Sequence, residues 1–360
     1  MGLVSTSYEL IGRILYTDIY NERGTLLLGA GKMLTAKDID SLLTNRIFEI
    51  AVKGTAYEMK PIDNIAPELL HQIDEAWNYD LEMAVIYKET LSGIKDLLGK
   101  IQEGEQANIQ EILTRFFPLI KHALEHRHVF HPLHTLKGKD EYTYRHSINV
   151  GLLSALIARL LGLPDEVCIE VGEAGLFHDI GKLEIPDEIL NKPATLNNEE
   201  REMMRKHTQY GYALLRKFPN LPKSLADVAL LHHERLNGTG YPFGLRHENI
   251  PLSVQIVSVA DKFDALVSDR VYREKVSPFD AAAVLWNAQF TGLMNPAVVT
   301  PFVTYMIESY IGSKVRLSNG QEGVIVRYNH QEPLRPLIQT DKGSFTKLDV
   351  ERDVQIVEVL

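Results

Sequence analysis

The chain is almost without cysteine: Cys168 stands alone among 360 residues. An internal disulfide is excluded, and so is a zinc cluster built on several thiolates. Positive charge is also in deficit, with 38 Lys and Arg against 48 Asp and Glu and a formal net charge of −10. A protein that coats a DNA or RNA polymer would lean the other way, so a polyanionic partner is not expected. A small anionic ligand remains admissible if a local cationic pocket receives it. Targeting signals are lacking too. Residues 1–12 carry neither a basic start nor a long apolar core, and MGLVST meets only a loose lipidation pattern. The one long uncharged run, Ala281 to Ile307, contains Asn287, Gln289, Asn295, Pro296 and Pro301, all costly in lipid. It predicts two buried helices meeting near Asn295-Pro296 rather than a membrane span. A soluble, cytoplasmic protein is the expectation.

What the chain does have is an ordinary globular composition, 45% hydrophobic and 24% charged. It also has 13 histidines. With thiolates absent, histidine and carboxylate are the available metal ligands. The pattern divides the chain into four parts. Residues 1–55 predict a small α+β module: GRILYTDIY and TLLLGAG as strands around the NERG turn, a helix from Thr35 to about Asn45, and IFEIAVK as a closing strand. Thr35 with Asp38 three residues later predicts the helix start. Residues 56–125 predict a helical linker or regulatory segment, interrupted at Gly104 and Pro118, that can serve as a homodimer seam. Residues 126–312 predict a long helical domain. Residues 313–360 predict a small β-rich cap, with strand, Asn-Gly turn and strand in KVRLSNGQEGVIVRY, then PLIQT and VQIVEVL. The expected fold class is therefore mainly α, with small modules at either end.

Chemistry concentrates in the third part. His146 follows EYTY; His178 and Asp179 sit in LFHDIGK; His207 sits in RKHTQYG; His232 and His233 sit in LLHHERLNGTGYP; Asp261 sits in VSVADKFDAL. Single histidines in apolar stretches are usually satisfied core residues. Five of them with two carboxylates on separate apolar faces would each carry a desolvation cost unless paired or metal-bound. A carboxylate can bridge two metals while imidazoles complete each shell. Two metals about 3.5–4 Å apart are the usual solution for phosphate-ester hydrolysis. A histidine-rich shell completed by oxygen suits Fe, Mn, Zn or Ni better than Mg or Ca. Lys182, four residues after His178, is expected one turn on along the same helix face, where it can neutralise a phosphate.

HDIGK, a later His, HHERLNGTGYP and a distal Asp, in that order, resemble the HD-GYP family of the HD phosphohydrolase superfamily, over roughly residues 126–312. The resemblance implies an all-helical domain that hydrolyses cyclic di-GMP to pGpG or GMP by a metal-bridged hydroxide. It implies two divalent transition metals, iron or manganese: one held by His146, His178, Asp179 and Asp261, the other by Asp179 as bridge with His207, His232 and His233. Lys182 matches the lysine beside the scissile phosphate. Gly240, Tyr241 and Pro242 match the substrate loop, and Arg270 and Arg273 match basic ligand-holding positions. Some members add a Glu one turn before the first His and a third metal. Tyr142 stands there in this chain, with Glu141 one position off, so a dinuclear site is expected. Asn237 replaces an Asp common in the loop. Related cyclic dinucleotides such as 3′,3′-cGAMP form the alternative substrate class, and a non-catalytic receptor is a third reading. His122, His126, His128, His131 and His134 recur without a carboxylate partner at useful spacing and read as surface or packing residues. His71, His247 and His330 are isolated.

Overall fold

A computed structural model describes most of residues 3–51, isolated positions between 65 and 73, and the stretches 81–105, 108–125, 141–268 and 276–360. The chain forms two compact units, Met1–Glu89 and Thr90–Leu360. Their division falls inside the segment 56–125 rather than at either of its ends.

The first unit contains two short antiparallel pairs. β1 (Leu3–Ser5) pairs with β4 (Glu49–Ala51), and β2 (Ile19–Tyr20) pairs with β3 (Leu26–Leu28). Helix α1 (Ala36–Thr44) starts on a capping box in which Thr35 and Asp38 satisfy each other's backbone donors. Leu10, Leu15, Leu28, Leu34, Ile39, Leu42 and Ile50 form its core. The expected strand over GRILYTDIY is shorter than predicted. The Asp18 carboxylate accepts Ala30 N at 2.6 Å and Tyr16 N turns to Ala51 O at 2.8 Å, so the ladder with the 26–28 strand is confined to Ile19–Tyr20.

Helices α2 (Leu81–Gln102) and α3 (Ile109–Glu125) follow. Gly104 ends the first of them at positive φ, as its sequence predicts. Pro118 does not interrupt the second. A proline inside a helix costs about 3 kcal/mol. Here Ile112, Leu113, Phe116, Leu119 and Ile120 are buried along the same helix, and burial of about 2 kcal/mol per large apolar side chain outweighs that loss. Phe116 packs over Gly151 in α4 (Tyr142–Leu160).

The helical region continues through α5 (Asp165–Leu176), a 3₁₀ turn (Ile180–Glu184), α6 (Asp187–Leu190), α7 (Asn198–Arg205), α8 (His207–Leu215), α9 (Lys223–Leu231) and α10 (Leu252–Val267). The uncharged run resolves into α11 (Pro278–Phe290) and α12 (Pro296–Ser309), with the Asn295 side chain capping the second. Among the described residues no helix is long and apolar enough to cross a membrane.

Five antiparallel strands close the chain in the order β8-β7-β6-β5-β9: β5 (Lys314–Leu317), β6 (Glu322–Arg327), β7 (Leu337–Thr340), β8 (Phe345–Lys347) and β9 (Ile356–Val359). Lys314 faces Val324 across the Asn-Gly hairpin. Strand β8, three residues long, was not among the predicted strands. Its neighbour β7 fixes it through the register Ile338↔Thr346.

Candidate metal centre

Helix ends and turns, more than helix faces, deliver the site. Helix α5 stops at Leu176, and His178 and Asp179 lie in the turn that follows. Lys182 therefore does not share a helix face with His178, as its spacing had implied. It sits in the 3₁₀ turn and places Nζ 2.5 Å from Asp179 Oδ2. The turn exists because residue 181 is glycine. A Cβ there would come within 2.0 Å of His207 O and 2.3 Å of Gly211 N. This close approach sets the first turn of α8, with His207 at its start, against Asp179. His232 caps the C-terminus of α9, and Ser258 Oγ of α10 donates to the His232 carbonyl at 2.5 Å. His146 and Asp261 project from within α4 and α10.

These positions converge. Asp179 Oδ1 lies 3.3 Å from His207 Nε2 and 3.7 Å from His232 Nε2. Its Oδ2 lies 3.2 Å from His178 Nε2 and 3.7 Å from His146 Nε2. Asp261 Oδ1 stands 3.3 Å from His146 Nε2 and 3.9 Å from His178 Nε2. The carboxylate of Asp179 thus turns one oxygen to each of two histidine sets. Donor atoms of Asp179, His207, His232 and His233 fall within 4.8 Å of one another, as do those of His146, His178 and Asp179.

The outer nitrogens explain why the inner ones point inward. Nδ1 of His178 meets Gly175 O at 2.7 Å, that of His207 meets Met204 O at 2.7 Å, and that of His232 meets Val228 O and Ala229 O at 3.1 Å. A carbonyl can only accept, so each Nδ1 carries a proton and Nε2 is the ring atom left to face a cation. His146 Nε2, His178 Nε2 and Asp179 Oδ1 are buried and make no hydrogen bond. Buried polar atoms left in this way are costly unless something coordinates them. The donor set fits divalent cations.

Electrostatics prepare the same state. Burial lowers the pKa of His207, drives that of His232 well down, and takes His233 to about 3. Burial opposes ionisation of Asp179 and Asp261, but Lys182 and His178 around the first, and His146 and His178 around the second, hold both well below the usual carboxylate range. His146 is the exception: burial disfavours its proton, but Asp261 and Asp264 outweigh burial and raise its pKa, so a cation there has to displace that proton. Neutral imidazoles and charged carboxylates are what a cation requires.

The loop after the paired histidines packs beside them. A Cβ on Gly240 would lie 2.4 Å from Arg235 N, so the loop fits its neighbour only with glycine there. Tyr241 stacks on His233 at 4.7 Å between ring centroids, and the Arg205 guanidinium lies 5.1 Å from the Tyr241 ring centre. Pro242 follows through a cis peptide bond. Tyr142 stacks on His146, while Glu141 turns to Lys95 Nζ at 2.8 Å. Arg270 and Arg273 lie outside the described residues, as do His71, His126, His128, His131 and His134. His122 is half-buried on α3, and His330 Nδ1 meets Tyr328 Oη at 3.1 Å.

Two buried carboxylates escaped the sequence reading of individual roles. Glu234, directly after the paired histidines, accepts Phe243 N at 2.7 Å and Leu245 N at 2.9 Å, holding the far side of the loop. Asp264 accepts from His146 Nδ1 at 2.7 Å. Its position one turn after Asp261 on an apolar helix was the available signal.

The HD domain family matches residues 132–298, which hold all seven of the converging histidines and aspartates. Cyclic di-GMP phosphodiesterase PA4108 of Pseudomonas aeruginosa is 38% identical over 231 residues, 64% of this chain and 55% of that protein. A cyclic di-GMP phosphodiesterase of Thermotoga maritima is 42% identical over 166 residues, 46% of this chain and 45% of that protein. The 3′3′-cGAMP-specific phosphodiesterase 3 of Vibrio cholerae is 39% identical over 159 residues, 44% of this chain and 34% of that protein. The chain spans about half the length of the first two relatives.

Proposed function

This chain belongs to the HD domain family, among its HD-GYP members, and from that premise we propose that it is a metal-dependent phosphodiesterase of cyclic dinucleotides, with cyclic di-GMP as its substrate. One observation carries the reading: the two oxygens of Asp179 face separate histidine sets, at 3.2–3.7 Å. His146, His178 and Asp261 would hold one cation with Asp179, and His207, His232 and His233 the other. Iron and manganese match this mixture of imidazole and carboxylate. When bound, the cations supply Lewis acidity at the phosphoryl oxygens and acidify a water toward neutral pH.

The chain's own residues do the rest. Lys182 brings an ammonium to the edge of the centre, where it offsets charge on the phosphate and stabilises the departing 3′ oxygen. Tyr241, set by Gly240 and Pro242, forms a wall beside His233 against which the nucleotide is oriented. Arg270 and Arg273 are assigned to the ligand's remaining charge. The products are linear pGpG, GMP or both.

The Vibrio relative supports a second reading, in which 3′,3′-cGAMP is preferred. The two separate in one assay. The full chain is loaded anaerobically with Fe(II) or Mn(II) and given each dinucleotide at equal concentration, with products resolved by chromatography. Faster loss of cyclic di-GMP is expected. Faster loss of cGAMP selects the second reading. Saturable binding of both with no product overturns the catalytic assignment in favour of a receptor.

A further inference from the structure

The histidines of the centre are not oriented alike. His178, His207 and His232 direct Nδ1 to main-chain carbonyls, whereas His146 directs Nδ1 to the carboxylate of Asp264, at 2.7 Å. Asp264 is fully buried. It is itself fixed from two sides: Asn149 Nδ2 donates to its Oδ1 at 2.9 Å, and Ser268 Oγ donates to its Oδ2 at 3.2 Å. Asn149 lies one turn after His146 on α4, and Ser268 immediately follows α10. The carboxylate therefore ties two helices together at the back of one imidazole.

A carboxylate behind an imidazole does more than a carbonyl does. Both fix the ring and its tautomer, but the charged partner also makes the opposite nitrogen a stronger donor. The charges around the two histidine sets are unequal for the same reason. The set at His146 and His178 has Asp261, one oxygen of Asp179, and Asp264 behind it. Among the described residues, the set at His207, His232 and His233 has the other oxygen of Asp179 within 3.3–3.7 Å of His207 and His232, and shares the charge of Asp261 at His233.

We propose that Asp264 is a positioning residue that, through His146, makes the cation position at His146, His178 and Asp261 the tighter of the two. The proposal rests on the metal-dependent reading above. It assigns the second position, with its three imidazoles, as the one that exchanges first. Substitution of Asp264 should then weaken one cation and spare the other. Removal of an outer carboxylate of this kind typically costs about 10–100-fold in metal affinity.

The test is a metal titration that does not depend on turnover. Wild type, Asp264→Asn and Asp264→Ala are stripped, titrated with Mn(II) in competition with a chromophoric chelator, and followed by the electron paramagnetic resonance of free Mn(II). Wild type should show one tight and one weaker equivalent. Asp264→Asn keeps the shape of the side chain and an acceptor for Nδ1. It should weaken the tight equivalent about 10-fold or more while the weaker one is unchanged, and Asp264→Ala should weaken it further. The thermal melt of each metal-free protein guards against a purely structural effect, and Asp264→Asn should melt close to wild type. Wild-type affinity for both equivalents in Asp264→Asn overturns the proposal. So does an equal loss at both equivalents accompanied by a lower metal-free melting temperature. Two bound equivalents in a wild type that cleaves no cyclic dinucleotide would sink the proposed activity while leaving the role of Asp264 measurable. A wild type that takes up no Mn(II) would sink both.

Discussion

The helices from Tyr142 to Val267 and the sheet from Lys314 to Val359 belong to one compact unit, yet they treat charge in opposite ways. In the helical region, His146, His178, Asp179, His207, His232, Glu234, Asp261 and Asp264, on helices and in the turns between them, are all buried. In the sheet the interior is Val315, Leu317, Ile325, Ile338, Leu348 and Ile356, and Thr340 and Thr346 are the buried polar residues. Its ions stay outside, as in the pairing of Lys314 with Glu322 and Asp341 at 3.0 and 3.2 Å. Burying a charge costs several kcal/mol unless it is paired or coordinated. A fold accepts that cost where the charges act together and avoids it where they only solubilise. The comparison therefore predicts a graded response: substitutions among the buried ions change chemistry or placement, and substitutions among the sheet's ions change little.

The steepest effect belongs to Asp179, whose two oxygens serve both histidine sets. Asp179→Ala should lower turnover of cyclic dinucleotide by on the order of 10⁴-fold or more, as for residues that act as one unit. Retention of activity within tenfold of wild type, at saturating Mn(II), would break the comparison at its centre.

Glu234 comes next, because it is buried and ionic but serves the loop rather than the cations. Glu234→Ala strands Phe243 N and Leu245 N, at a cost of about 1–3 kcal/mol. The displaced loop carries Tyr241, so KM should rise more than kcat falls. A variant with unchanged KM and an unchanged melting temperature would show that the loop is held by other contacts.

How far the sequence reveals this contrast depends on how local each feature is. Adjacent residues such as His178-Asp179 and His232-His233 announce themselves, and His146, His207 and Asp261 stand out as lone polar residues in apolar stretches. All of them converge in the structure. Asp264 was not legible as a partner because the residue it orients is 118 positions away, and only the packing of α10 on α4 joins them. Lys182 was placed near the right carboxylate by the wrong geometry: spacing alone extends a helix through His178, whereas the helix ends at Leu176. The contact that sets the real turn, Gly181 against Gly211, is again nonlocal. In the sheet, the Asn-Gly hairpin and the alternating runs were legible, but Phe345–Lys347 is too short to show a period.

Glu173 tests an intermediate case, half-buried on α5 beside Glu170 and outside the cluster. Burial first, and the Glu170 charge second, push its pKa up to about 7 from the 4.5 of an unperturbed glutamate. Between those values the folded protein binds more protons than the unfolded chain. Stability therefore falls as pH rises from 4.5 to about 7, and the whole penalty is present above that window. Glu173→Gln removes the titration. Its gain should be absent at pH 4 and reach about 1 kcal/mol at pH 8 after allowance for solvent screening, read from denaturant melts at the two pH values. An equal effect at both would assign the substitution to packing instead.

The smallest effect is expected where the ions are most visible. Arg316 pairs with Glu322 at 3.1 Å and also with Glu358 across the β5–β9 ladder. Each member is at least partly exposed, so water and salt already screen the attraction, and ordering the long side chains offsets much of what is left. The strand beneath is held by its backbone ladder and by Val315 and Leu317 on the inner face, none of which needs the guanidinium. Arg316→Gln should then shift the melting temperature by less than about 2 °C, and 1 M salt should shrink even that difference. A loss above about 5 °C that survives high salt would mean that Arg316 acts through packing of its aliphatic stem on the sheet. The sheet would then resemble the helices in making a charged side chain structurally indispensable, and the division between interior chemistry and exterior solvation would have to be redrawn along β5.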